Sequence, residues 1–230
     1  GAGISGILAA KNAAKNNYKT LLLDEKNELG GSTIFETNEN KKINNTFSSE
    51  WLKKEISELK NIKNLEIKTR TSVAAYHQYN YLLARENLTD HLEKKDKKNK
   101  IRQRLLKIRA KKVILATGAL ERPLVFNNND RPGIMLSSAV KKYIDFYGVA
   151  CGKKNIFFTN NDSAYESALS LHNKGIKVDA IIDIRENSNA KIIKKINDAG
   201  IKIYWSHTIV DTSGYKSCLL YTSPSPRDGL

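Results

Sequence analysis

The chain opens on Gly1-Ala2-Gly3-Ile4-Ser5-Gly6, a G-x-G-x-x-G turn, and no other feature restricts its folding as tightly. The first glycine permits a tight turn. The second leaves bare backbone where a pyrophosphate can approach, and the third lets the following helix pack closely on a sheet. Such a turn belongs between a strand and a helix, so a first strand, missing here, is expected ahead of Gly1. Ile4, Ile7, Leu8, Ala9, Ala13 and Ala14 then put small and apolar residues on one helical face, as far as Asn16-Asn17-Tyr18. Thr20-Leu21-Leu22-Leu23, closed by Asp24 and Glu25, reads as a buried parallel strand.

The same alternation continues along the chain. Gly30-Gly31 makes the next tight turn. Trp51, Leu52, Ile56 and Leu59 predict a helix over Ser49–Asn61, with Ser48 or Ser49 as its cap, and Leu65-Glu66-Ile67 alternates as a strand. From Ser72 to Ala110 the pattern becomes an antiparallel meander broken by a charged loop, Glu93 to Lys100. Lys112 to Gly118 returns to an apolar strand. Beyond it come a helix at Ser137–Tyr147, a strand at Asn155–Thr159, a helix at Ser163–Asn173 and a strand at Val178–Asp183. A helix at Ala190–Ala199 and a strand at Ile201–Trp205 close the series. The expected fold is α/β: a doubly wound parallel sheet with an inserted β-meander and a second, degenerate Rossmann-like unit. Residues 1–120 form the dinucleotide domain, with the meander at about 72–110, and residues 121–212 form the second unit with its return segment truncated. Cys218 to Asp228 reads like translated sequencing-adaptor DNA, so 217–230 is set apart as non-native read-through.

Hydrophobic residues make up 40% of the chain, enough for a buried core. No run of about 18 apolar residues occurs and the first residues are a glycine-rich turn, so neither a membrane span nor a signal peptide is expected. The two cysteines, Cys151 and Cys218, form no CxxC pair, so no zinc site or dithiol centre is expected and a cytoplasmic location is the simplest reading. A net charge of +15 would suit a nucleic-acid binder. Its lysines, however, are scattered in pairs among many Asn and Ile residues, as an AT-rich coding bias would leave them, and no nucleic acid is expected.

The first glycine turn needs an acid at the end of the next strand to accept hydrogen bonds from the adenosine ribose, and an acid there disfavours a 2′-phosphate. NAD or FAD is therefore expected over NADP. Asp24 and Glu25 point to opposite faces of the strand, so one of them reaches the ribose easily. Glu25 is preferred because it stands five residues before Gly30-Gly31, the spacing usual in flavoproteins of this fold. The Ala116-Thr117-Gly118 turn would bring further backbone to the cofactor. At the equivalent place in the second unit stand Thr159-Asn160-Asn161-Asp162-Ser163, with side chains where phosphate oxygens need bare backbone. Those residues are expected to turn the chain and cap the next helix.

Longer motifs carry a family resemblance. Arg102-Gln103-Arg104-Leu105, the Ala116-Thr117-Gly118 turn, Leu120 to Phe126, Asn128 to Leu136 and Thr159 to Tyr165 together resemble the alpha subunit of heterotetrameric sarcosine oxidase. His77 to Tyr81 and Thr89 to Leu92 fit the same pattern, and the likeness runs to about residue 212. The resemblance implies a glutathione-reductase-like, FAD/NAD(P)-binding fold. It also implies a complex that demethylates sarcosine oxidatively to glycine, forms hydrogen peroxide and passes the one-carbon unit to tetrahydrofolate. In that family FAD lies on a beta subunit, FMN near the alpha-beta contact, NAD on the alpha subunit and tetrahydrofolate in a later domain. The implied partners are the flavin-carrying beta subunit and smaller subunits of a heterotetramer, with a small amine as substrate. The related alternative is an FAD-dependent amine, opine or glycine oxidoreductase subunit.

Carried over, the NAD site comprises Gly1, Ala2, Gly3 and Gly6 around the pyrophosphate and Asp24, Glu25 and Lys26 around the ribose. Ser32 follows the Gly-Gly turn, Val73 offers backbone to the adenine, and Thr117 and Gly118 complete the pocket. Ile4 and Ser5 replace the Pro-Ala common inside this turn, and with the folate domain absent the fragment alone is expected to be inactive. No catalytic acid, base or nucleophile stands out. His77 and His91 read as structural histidines, Cys151 as an unpartnered thiol, and Arg122 and Arg131 as anion binders or as loop ties to Glu121 or Asp130.

Overall fold

A computed structural model describes residues 1–35 and 42–213, with the backbone of 219–224. The chain divides into two units, Gly1–Ala119 and Leu120–Leu230.

In the first unit the glycine turn runs directly into helix α1 (Ile4–Lys15), followed by strand β1 (Thr20–Leu23). A short hairpin of β2 (Lys42–Ile43) and β3 (Thr46–Phe47) leads to helix α2 (Ser48–Lys60) and strand β4 (Leu65–Lys68). β4 lies parallel to β1, from Thr20 opposite Leu65 to Leu23 opposite Lys68. Parallel neighbours need a crossover, and α2 supplies it. Trp51, Leu52 and Leu59 of α2 are buried with Ile7 and Ala10 of α1 and Leu22 of β1. Each large apolar side chain taken out of water there stabilises the fold by roughly 1.5–3 kcal/mol. On the rim, Lys11 of α1 reaches Glu55 at 2.6 Å and Glu58 at 2.7 Å on α2. The expected serine cap of α2 is not formed. Phe47 occupies the N-cap position without a side-chain hydrogen bond, and Ser48 is buried in the first turn.

Strands β5 (Thr71–His77), β6 (Tyr81–Asn87) and β7 (Gln103–Arg109) form the antiparallel meander in the order β5-β6-β7. The charged loop between β6 and β7 contains one turn of helix, α3 (Lys94–Lys97). The expected strand over 112–118 is corrected: this segment belongs to no ladder among the described residues, and Ile114 and Leu115 are 66% and 67% exposed. Strand character requires a hydrogen-bonded neighbour, and the sheet of β1 contains β4 alone beside it.

The second unit follows the expected alternation to within a residue at most ends. Helix α4 (Ser137–Phe146) precedes β8 (Lys154–Thr159), α5 (Ser163–Asn173), β9 (Lys177–Asp183), α6 (Lys191–Asp198) and β10 (Lys202–Trp205). The three strands form a parallel sheet in the order β10-β9-β8. Phe157, Tyr165, Ala168, Leu171, Ile181 and Ile196 make its core. Strand β11 (His207–Ser213) pairs antiparallel with the backbone of β12 (Leu219–Pro224), within the stretch set apart as read-through; the remainder of 217–230 lies outside the described residues.

One ionic tie fastens α4 to α5. The Asp145 carboxylate is fully buried and is met by the ammonium groups of Lys141 and Lys174, the latter at 2.9 Å, and by the Ser170 hydroxyl. Burial alone would push its pKa up, but the Lys141, Ser170 and Lys174 contacts outweigh burial and hold it below the usual carboxylate value. A pKa depressed in the folded state stabilises above the ordinary carboxylate range. That stabilisation is lost as pH falls through the depressed value. Asp145→Asn is therefore expected to destabilise the second unit by about 1.5–3 kcal/mol at neutral pH, with the gap to wild type closing under acid. Urea unfolding followed at pH 7 and pH 3 checks this, and an equal deficit at both would contradict it.

Candidate functional site

The two glycine turns of the first unit meet backbone to backbone. The Gly30 N–H donates to the Ala2 carbonyl at 2.7 Å. Gly31 has φ +60, and a Cβ there would lie 2.9 Å from the Gly3 Cα. Gly6 is buried against Gly1, where a Cβ would fall 1.8 Å from the Gly1 carbonyl oxygen. Gly1 in turn abuts the Ala116 carbonyl, 2.1 Å from where a Cβ would be. Gly3 differs from these. A methyl group placed on it would meet nothing nearer than the Gly31 Cα at 4.0 Å, so its outer side is open. Gly3 is also the N-cap of α1 and offers no side-chain cap, and Ser5 in the first turn is exposed. The amino end of a 12-residue helix therefore faces outward beside bare backbone. That arrangement suits a phosphate, drawn by the first-turn amides and the positive end of the helix dipole.

The carboxylate beneath this turn is Asp24, with Glu25 beside it at the end of β1. Asp24 is buried, its Oδ2 accepting the Ala2 N–H at 2.5 Å and its Oδ1 the Lys26 N–H at 2.8 Å. Glu25 is exposed. The period of the strand carries the signal that identifies Asp24: buried Leu22 and Asp24 are two residues apart and share a face, whereas Glu25 is on the other. Lys26 is half-buried, with its ammonium 5.5 Å from the centre of the Phe35 ring. Ser32 is exposed in the short helical turn after the glycine pair. Backbone bonds from Thr71 N to Asp24 O and from Arg70 N to Lys26 O, each 2.8 Å, bring the start of β5 to the end of β1. Val73, two residues further on, is 44% exposed. Thr117 and Gly118 are exposed at the end of the segment 112–118, Gly118 with φ +75, one and two residues beyond the Ala116 carbonyl that touches Gly1. The structure thus joins Gly1, Ala2, Gly3, Gly6 and Asp24 through direct contacts. Glu25, Lys26, Ser32, Val73, Thr117 and Gly118 stand on adjoining backbone.

The other sequence candidates assemble no reactive group. His77 and His91 are exposed, with His77 beside the Tyr81 ring. Cys151 is exposed, and the partial burial of its thiol pushes its pKa up rather than towards the thiolate. Glu121 does not tie Arg122. Its carboxylate caps α4, accepting the Ser137 N–H at 3.0 Å, the Ser138 N–H at 2.7 Å and the Ser137 hydroxyl at 2.7 Å. Arg131 is half-buried and faces Asp211, whose pKa it helps to lower behind the hydrogen bonds from Asn128 and Thr212. Among the described residues no cluster of three or more His, Cys, Asp or Glu could hold a metal, and no helix is long and apolar enough to cross a membrane.

In the second unit, the position equivalent to the first glycine turn is filled by side chains. Asn161 rather than Asp162 caps α5, its Oδ1 accepting the Ser163 N–H at 3.0 Å. Asp183, wholly buried at the end of β9, accepts the Tyr165 hydroxyl at 2.6 Å and the Arg185 guanidinium at 2.7 Å. The same guanidinium reaches Asp162 at 2.8 Å.

Several known proteins are similar to this chain. The sarcosine oxidase alpha subunit of Corynebacterium sp. strain P-1 is 38% identical over 217 residues, 94% of this chain and 22% of the relative. That of Rhizobium meliloti strain 1021 is 36% identical over 185 residues, 80% of this chain and 18% of the relative. The chain therefore spans less than a quarter of the length of these relatives. Among solved structures, L-proline dehydrogenase from P. horikoshii superposes with a TM-score of 0.67 at 21% identity, over 98% of this chain and 39% of that one. The thioredoxin reductase of T. acidophilum gives 0.68 at 18%, over 98% and 69%. Both likenesses establish the fold alone. The family model for pyridine nucleotide-disulphide oxidoreductase matches residues 1–215, and with that match spanning nearly the whole chain, the protein belongs to the pyridine nucleotide-disulphide oxidoreductase family.

Proposed function

We propose that this chain is the NAD-holding region of a sarcosine oxidase-type alpha subunit, working in a cytoplasmic heterotetramer whose beta subunit carries the flavin that oxidises the amine. The observation that carries the reading is the open side of Gly3 at the uncapped amino end of α1, with the Asp24 carboxylate fixed beneath it. The likeness to sarcosine oxidase alpha subunits supports the choice of complex. In that complex sarcosine, oxygen and water give glycine, formaldehyde and hydrogen peroxide, or the one-carbon unit passes to tetrahydrofolate bound elsewhere in the full protein.

The chain's own residues bind and orient. The first-turn amides of α1 and the backbone of Ala2 and Gly3 take the pyrophosphate, a contact the helix dipole strengthens by roughly 0.3–1 kcal/mol. Asp24 holds the glycine turn through Ala2, and Asp24 and Glu25 present negative charge to the ribose, which disfavours a 2′-phosphate. Lys26, Ser32, Val73, Thr117 and Gly118 border the rest of the nucleotide. Bound NAD would supply a hydride acceptor, which these residues would hold and orient.

Denaturing the purified full-length protein and identifying the released nucleotide by mass spectrometry is expected to give about one NAD per chain; FAD alone, or no nucleotide, overturns the reading. Gly3→Ala separates binding from folding. A methyl there meets nothing closer than 4.0 Å among the described residues, so the variant is expected to fold as wild type while nucleotide occupancy falls at least about tenfold. Gly6→Ala, placed 1.8 Å from a carbonyl oxygen, is expected to lose thermal stability and nucleotide together. For the two acids, Asp24→Ala is expected to lower melting temperature and occupancy together, and Glu25→Gln to lower occupancy at an unchanged melting temperature; wild-type occupancy of Glu25→Gln in a side-by-side titration would remove Glu25 from the ribose contact.

A further inference from the structure

The outward face of the meander carries cations without matching anions. In the antiparallel register Arg85 stands opposite Leu105, Leu83 opposite Lys107 and Tyr81 opposite Arg109. Residues directly opposite one another share a face, so these six side chains form one patch, joined on β5 by His77 opposite Tyr81. The alternate residues Leu82 and Ala84 are buried, which turns the patch outward. Arg85, Lys107 and Arg109 are exposed, and Leu105 is 61% exposed between them. Arg109 lies 5.1 Å from the centre of the Tyr81 ring. No carboxylate among the described residues pairs with Arg85, Lys107 or Arg109. Glu86 points to the opposite face and meets Lys68 and Arg104, and Asp90 at the end of the strands is taken by Arg102 and Gln103.

This patch is not explained by the general lysine excess of the chain. Two of its nine arginines, Arg85 and Arg109, stand on this one face. A coding bias towards lysine does not concentrate arginine. Arginine and tyrosine are the residues enriched at the centres of protein interfaces, where lysine is depleted. Three like charges on neighbouring positions of one sheet face repel one another, and an acidic partner relieves that repulsion.

We propose that this face, centred on Arg85, Leu105, Lys107, Arg109 and Tyr81, docks an acidic surface of another protein subunit. That the partner is a subunit of the same enzyme rests on the function proposed above; the acidic protein chemistry of the partner does not. The patch would meet carboxylates at its arginines and an apolar contact at Leu105.

Hydrogen exchange on the full-length chain, free and assembled with its partner subunits, is the direct test. The amides of β6 and β7 are expected to slow at least tenfold on assembly, and unchanged exchange there overturns the proposal. In the same complex, Arg85→Glu with Arg109→Glu is expected to weaken assembly at least tenfold by mass photometry. Nucleotide content, measured separately, is expected to stay at the wild-type level. Loss of NAD from the wild type with the footprint intact would sink the nucleotide reading alone; wild-type assembly of the variant would sink the docking proposal alone. Should the double variant fail to fold, Leu105→Ser and Arg85→Gln supply the same comparison. Protection of the face by single-stranded RNA but not by the partner subunits would also overturn the docking proposal.

Discussion

The first unit depends on one contact, the meeting of two glycine turns. With the Gly30 N–H on the Ala2 carbonyl and Gly3 and Gly31 in backbone contact, no side chain can stand between the turns. Asp24 locks the inner turn from below through the Ala2 N–H. The amino end of α1 is thereby held in a fixed place relative to β1, with space beside Gly3 among the described residues. Binding to such a site needs little rearrangement, because the donors are backbone amides already positioned by the helix.

The second unit solves the same packing problem and arrives at different chemistry. Its parallel strands and flanking helices repeat the α/β plan. Yet where the first unit has glycines and an outward helix end, the second has Asp162, Tyr165, Asp183 and Arg185 linked by hydrogen bonds, with Asn161 bonded to Ser163. Burial and the Asp183 carboxylate push the Tyr165 phenol well above its ordinary pKa, and the two carboxylates hold the Arg185 guanidinium above its own. Polar groups that would otherwise face a ligand satisfy each other instead.

Charge illustrates why composition is a poor guide to partners. The +15 balance describes the whole chain, and most of it is lysine spread over exposed surface. What distinguishes the meander is arrangement: Arg85, Lys107 and Arg109 fall on one face because the β6–β7 register is in phase, whereas Arg104, one residue out of phase, turns to Glu86. A shift of one residue in that register would have exchanged the two faces.

Sequence alone determined the elements whose hydrogen bonds or periodicity are local. The α1 helix, the β1 and β4 strands, the meander and the α/β series of the second unit follow from apolar spacing and turn residues, and the glycine turn marks the candidate site. The long motifs from Arg102 to Tyr165 carried the family. Only the tertiary structure decided the rest, since each remaining point depends on a distant neighbour. The segment 112–118 has a strand's composition, but among the described residues it has no ladder partner and forms no strand. Glu121 caps a helix 16 residues away rather than pairing with Arg122, because the loop carries its carboxylate to the Ser137 and Ser138 amides. Asp24 lies under the turn and Glu25 outside it, since the strand buries the face that Asp24 shares with Leu22, and only packing decides which face that is.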